Sequence, residues 1–272
     1  MLTPHVYLAP HRPTLALDRH RGHRTPMIEA LSRAAERIAA DSPATIVALT
    51  ARWNTDGPFR VDDGVRHRTL TDYVGLGVEV RYDCDGHPAL AHAVVEAGQK
   101  AGLRVVAARR GVDSGVTVPL GFLVPSRAVR VVPLSLPDAG AEACRAWGAA
   151  LRGAIDAWPE RVAFIAGGVL SFNEHAWNLK REVPEALAFD QATLDALARG
   201  AWDEVGVADR RALARARPEA RLRHLEVLRG LLGERASGAT LYHECATGIG
   251  AALVEFDATP PVVDAADSAA SG

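Results

Sequence analysis

One stretch constrains this chain more than any other: Arg161 to Trp177, reading RVAFIAGGVLSFNEHAW. The apolar run Val162 to Ala166 fits a strand buried on both faces, as in a parallel sheet. Gly167 and Gly168 follow where that strand would end. A glycine pair there permits unusual backbone angles or the close approach of a ligand. Ser171, Asn173, Glu174 and His175 come next. In open α/β sheets the ligand crevice lies beyond the carboxyl ends of the strands. Gly167 to His175 is therefore expected to floor a binding site. The plainer alternative is a strand-to-helix turn with Ser171 or Asn173 as N-cap.

The same grammar recurs along the chain. His5 to Leu8 reads as a short strand, closed by Ala9-Pro10-His11-Arg12-Pro13, and a loop histidine between two prolines is held stiffly. Thr25 to Ala40 reads as a helix, with Thr25 as N-cap, Pro26 at the first helical position and Glu29 near the start. Thr45 to Thr50 is the next buried strand, running into Arg52, Trp53, Asn54 and Asp56. Strand, helix and strand make a right-handed βαβ unit the default. Arg60 to Cys84 is a long connection, which suggests a lid or an interface element. A helix over Pro88 to Ala101 and a strand over Arg104 to Ala108 follow. Gly111 to Leu120 reads as a loop re-entering apolar chain. Beyond it come a strand over Val129 to Leu134 and a helix over Glu142 to Ala157. Three helices are expected between Pro184 and Glu234, broken near Val205-Gly206 and at Pro218, their arginines solvated. Leu241 to Gly250 leads into Ala251 to Phe256.

The fold class expected is α/β: a single domain over residues 1–256, its largely parallel central sheet flanked by helices. The Pro-, Asp-, Ala- and Ser-rich residues 257–272 are expected to be a disordered tail. A chain of 272 residues, 48% hydrophobic, has enough apolar material for that core. Its net charge of −2 gives no field favouring nucleic acid or a membrane surface. Cys84, Cys144 and Cys245 are odd in number, lack metal-type spacing and fit a reducing cytoplasm. The start shows no signal-peptide pattern, and no uninterrupted apolar run is long enough to span a membrane.

Polar clusters at the strand ends name the candidate site residues. They are His11, then Arg52 to Asp56, then Asp113 and Ser114, then Ser171 to His175, with His243 and Glu244 later. Two histidines and a carboxylate form the facial set of non-haem Fe(II). His11, His175 and Glu244 would supply it, although no short spacing links them. There is no Gly-x-Ser-x-Gly elbow, phosphate loop or dinucleotide fingerprint. Cys245 reads as a packed small hydrophobe.

Several ordered strings resemble the class III (LigB-type) extradiol ring-cleavage dioxygenases, specifically the aminophenol dioxygenase group of paired subunits. They are Ala9 to Pro13, Ala51 to Phe59, Arg81 to Ala91, Gly111 to Leu120, Gly167 to Ser171 and Glu244 to Gly248. The resemblance implies a single α/β domain whose active members hold Fe(II) with two His and one Glu and open a catecholic ring. It makes His11 the first iron-ligand histidine and Glu244 the carboxylate ligand. It also exposes departures. Arg52 stands where the second ligand histidine belongs, and Ser114 replaces the histidine of the Asp-His-Gly string. Phe172 replaces the acid-base histidine, and Val169 the aspartate of the same string.

A guanidinium stays charged and cannot ligate metal. A +1 charge about 4 Å from a +2 ion costs roughly 8 kcal/mol at an effective dielectric near 20. Phe172 cannot move a proton. The expectation is a catalytically silent subunit with no cofactor, His11 and Glu244 being vestigial. It would pair with an active LigB-type homologue or with itself. Arg52, Asn54, Ser114, Ser171 and Asn173 would line the old pocket, with room for a small aromatic ligand and with Arg52 drawn to Glu244. The alternative is an active enzyme on an aromatic substrate, with Fe(II) in a site rebuilt from His11, His175 and Glu244. His175 and Ser114 are then its catalytic candidates. A third reading is a small-molecule binding protein.

Overall fold

A computed structural model of the chain describes residues 1–73, 77, 79 and 81–258. The first strand and two helices are β1 (Leu2–Ala9), α1 (Pro13–His20) and α2 (Pro26–Asp41). Then come β2 (Thr45–Thr50), β3 (Phe59–Asp62), β4 (Arg66–His67), β5 (Cys84–Asp85), α3 (Pro88–Lys100) and β6 (Val105–Ala108). The middle of the chain holds α4 (Ser114–Leu123), β7 (Arg130–Leu134), α5 (Ala141–Asp156), β8 (Val162–Gly167) and α6 (Glu174–Asn178). The last third is α7 (Pro184–Ala198), α8 (Arg210–Ala216), α9 (Arg223–Leu232), β9 (Gly238–Ala246) and β10 (Ile249–Asp257).

Eight strands form one sheet in the order β6-β3-β7-β2-β8-β1-β10-β9. The β7-β2-β8-β1 core is parallel throughout. The β9–β10 hairpin adds antiparallel to one side through the β1–β10 pair. Every residue of β2 and β8 is buried, as a strand with helices over both faces requires. Alternate residues feed two cores. Leu8, Leu49 and Phe164 face one, with Trp147 and Leu228. Tyr7, Ile46 and Ile165 face the other, with Met27 and Leu31.

Local chemistry explains why α2 begins where it does. Thr25 accepts a hydrogen bond from the Ile28 amide, and Pro26 opens the helix. The expected α/β domain with its largely parallel sheet is present, with two corrections. The stretch Gly111 to Leu120, read as loop, starts a helix instead. Asp113 caps it, accepting from the Gly115 amide and from the Thr50 hydroxyl, and Pro119 is accommodated inside it. The long connection from Arg60 to Cys84 supplies β3, a strand of the main sheet, and folds back on its own chain. Tyr82 donates to the Val124 carbonyl at 2.8 Å and is 1% exposed. Within that connection, Val74 and Leu76 lie outside the described residues, as do residues 259–272 of the tail. The Ala258 amide donates to the Pro4 carbonyl.

One close approach positions the functional end of the sheet. A Cβ on Gly167 would stand 1.8 Å from the Gly115 carbonyl oxygen, and one on Gly115 would stand 1.9 Å from the Thr50 hydroxyl. The start of α4 is thus seated directly on the ends of β2 and β8. Gly167→Ala is expected to cost about 1–3 kcal/mol in urea unfolding, because backbone must move. Gly153→Ala, on an exposed helical turn with nothing within 4 Å, is expected to gain up to about 1 kcal/mol.

Candidate functional site

The strands β1, β2 and β8 end side by side, with Ala9 paired to Gly167 and Thr50 paired to Gly167. The loops that leave them carry His11, Arg52 and Val169 to one edge of the sheet, where α/β crevices form. A cavity of about 380 Å³ opens there. His11, Arg12, Arg52, Asp72, Ser114 and Phe172 are among its walls, with Tyr73, Trp177 and Ile249.

His11 is 3% exposed, and its Nε2 lies 2.9 Å from both carboxylate oxygens of Glu219. The Val169 amide donates to the same carboxylate at 2.8 Å. Burial alone would lower the His11 pKa, but the Glu219 charge and hydrogen bond outweigh it and raise it. Burial alone would raise Glu219, but His11 and the Val169 amide hold it down. A few residues on, His224 is fully buried with both ring nitrogens unpartnered in the protein. Burial pushes its pKa down to about 4 against the weaker pull of Glu219.

Sequence reasoning missed Glu219 and His224. The string Pro218-Glu219-Ala220-Arg221-Leu222-Arg223-His224 reads as arginine-rich surface, and its only signal is the proline break. The carboxylate assigned beside His11 was Glu244, and that is corrected here. Glu244 lies on the edge strand β9 and accepts from Arg12 at 2.7 Å. The Arg12 guanidinium also stacks over Trp177, 5.3 Å from the ring centre. The expected Arg52–Glu244 pairing is likewise corrected. Arg52 donates to Asp72 at 3.2 Å. That same carboxylate takes the Ser114 amide at 3.0 Å and hydroxyl at 2.9 Å.

Of the expected pocket residues, Arg52 and Ser114 face the cavity, and three do not. Asn54 is exposed outside its lining. The Ser171 hydroxyl donates to buried Asp190 at 2.9 Å. Asn173 caps α6, accepting from the Ala176 amide, and donates to the Arg215 carbonyl. The stretch after Gly168 thus includes the helix-capping turn weighed as its plainer reading, with Phe172 reaching the cavity.

The iron set tested on this geometry does not fit. His11 and Glu219 are adjacent and of the right types, but Arg52 lines the same cavity as His11, and its charge opposes protonation of His11. The rebuilt set is not assembled either. His175 is exposed on α6, and Glu244 is spent on Arg12. Among the described residues, no group of three or more His, Cys, Asp or Glu is arranged to hold a metal ion.

Over residues 5–254 the chain matches the profile of the family described as the catalytic LigB subunit of aromatic ring-opening dioxygenase. The chain belongs to the LigB family. It is 31% identical to dioxygenase tasH of Hapsidospora irregularis over 157 residues, which is 56% of this chain and 46% of that protein. It is 27% identical to 4,5-DOPA dioxygenase extradiol of Beta vulgaris over 227 residues, 79% of this chain and 82% of that one. Its fold matches that of the uncharacterized protein JW3007 of Escherichia coli K12. The TM-score is 0.69 at 17% identity, covering 92% and 98% of the two chains. This LigB chain therefore keeps the family fold without an intact metal-binding cluster among its described residues. No described helix is long and apolar enough to cross a membrane.

His224 gives a pH test with a defined sign. Its folded pKa is depressed to about 4 from 6.5, so on acidification the unfolded chain takes up a proton that the folded chain refuses. Stability is lost as pH falls from 6.5 toward 4. His11 works oppositely: its raised pKa gives a contribution complete below 6.5 and lost as pH rises. Glu219, with its lowered pKa, loses its contribution only as pH falls below its ordinary 4.5. Between pH 7 and pH 5, wild type is expected to lose about 2 kcal/mol more than His224→Leu in urea unfolding. Equal losses would show that the ring is not held neutral.

Proposed function

We propose that this chain is a catalytically silent LigB-type subunit that partners an active ring-cleaving homologue. The observation that carries the proposal is Arg52, a permanent cation on the wall of the ancestral cavity, held by Asp72 beside the buried His11–Glu219 pair. A divalent ion there would meet that charge at short range. Phe172 in the same wall offers no proton to a reacting ring. What remains useful is the fold, and a fold without its chemistry serves by packing against a working copy. The cavity itself supports a second reading, retention of a small aromatic ligand. Phe172, Tyr73 and Trp177 give it aromatic walls, and Arg12 lies over Trp177.

Two measurements test the proposal. Protein purified without oxygen is expected to carry far less than one iron per chain. About one iron per chain, lost in a His11→Ala, Glu219→Ala double variant, would overturn it. Co-expression with an active LigB-type homologue is expected to give a complex in light scattering, with the homologue's ring-cleavage activity more heat-resistant than alone. A monomer that captures no homologue would move the weight to the ligand-binding reading.

A further inference from the structure

A second cavity, of about 420 Å³, shares no lining residue with the one at His11. That volume suits a small organic ligand. Its apolar wall is made by Trp202, Leu213, Leu222 and Leu225. The charged residues of the lining are Arg221 and Glu226. Glu226 is already matched, accepting from Arg145 at 2.8 Å. Arg221 is not: among the described residues its guanidinium has no hydrogen bond and no carboxylate partner. The cavity therefore carries one uncompensated cation beside a largely apolar wall and one carboxylate already matched by Arg145.

The backbone at this wall is uncommon. Ala220, Arg221 and Leu222 have φ of 47°, 53° and 57°. Three successive residues with side chains in the left-handed region cost of order 1–2 kcal/mol each. Such turns persist where their surroundings over-determine them, and they gather at ligand clamps. Here one end is tied by Glu219 to His11 and the other by buried Leu222. The turn sets Arg221 exposed at the cavity while Leu222 is buried in its wall.

We propose that this cavity is a second small-molecule site, for an organic monoanion with an apolar body the size of a medium-chain fatty acid. Its carboxylate meets Arg221, and its hydrocarbon lies against Trp202, Leu213, Leu222 and Leu225. The site is independent of whether the cavity at His11 is silent.

Calorimetric titration of the full chain with octanoate and with 1-octanol tests this. Octanoate is expected to bind at one site per chain. Arg221→Ala should weaken it at least tenfold, Arg221→Lys should restore most of the affinity, and Lys100→Ala should change nothing. Octanol should be indifferent to Arg221→Ala, because it carries no charge to lose. Leu213→Trp, which fills the cavity, should abolish both. Arg221 is exposed, so its variants are expected to fold and stand as a test if Leu213→Trp does not. Absence of octanoate binding, or binding equal in wild type and Arg221→Ala, would overturn the proposal. So would self-association through this face, seen as a sedimentation shift that Leu213→Trp removes.

Discussion

The His11–Glu219 pair is the interaction on which the functional end of this molecule depends. Both groups are buried, and they approach within 2.9 Å. Two opposite charges out of water hold each other ionised only while both are present. Removing one leaves the other uncompensated, at a cost of about 3–5 kcal/mol. The pair also ties together distant parts of the chain. His11 follows β1, Glu219 opens the turn into α9, and the amide that shares the carboxylate belongs to Val169, just past β8. The left-handed turn at Ala220 to Leu222 is the backbone conformation that accompanies this bond.

Around that pair two cations of the cavity wall are matched by carboxylates. Arg12 takes Glu244, and Arg52 takes Asp72. Asp72 comes from the connection between β4 and β5, so this segment serves as cavity wall and not only as a link. It also fixes the N-terminus of α4 by accepting from the Ser114 amide and hydroxyl. A ring-cleaving centre needs open coordination positions on a metal and a group that moves a proton. In this chain the cavity wall carries a guanidinium in an ion pair and a phenyl ring. Partly exposed ion pairs of this kind contribute little to stability.

Beneath the floor a second buried carboxylate does structural work. Asp190, fully buried, accepts from the Ser171 amide and hydroxyl and lies 3.4 Å from the His243 ring. It ties α7 to the segment after β8 and to the edge hairpin. Ser171, His243 and Cys245 thus cluster without forming a nucleophilic site. The serine is already donating to a carboxylate, and burial pushes the Cys245 thiol up to about 12, far from the thiolate that chemistry needs.

The sequence alone determined the elements whose signals are local. Thr45 to Thr50 and Val162 to Ala166 are apolar runs that only a doubly covered strand can bury, and Thr25-Pro26 is a helix start that needs no tertiary help. Glycine and proline misled the reading of Gly111 to Leu120, because Asp113 capping and the seat on Thr50 and Gly167 make a helix of it. The ordered strings were enough to indicate the family, and they placed Arg52 and Phe172 at its site. They gave Glu244 as the carboxylate and missed Glu219, because a carboxylate's partner is set by which loops the sheet order brings together. His11 and Glu219 are 208 residues apart in the chain and meet only because β1 lies beside β8, whose following loop packs on the turn before α9. Charge pairing across such distances is decided by tertiary structure, where a few ångströms of position separate an ion pair from a solvated side chain.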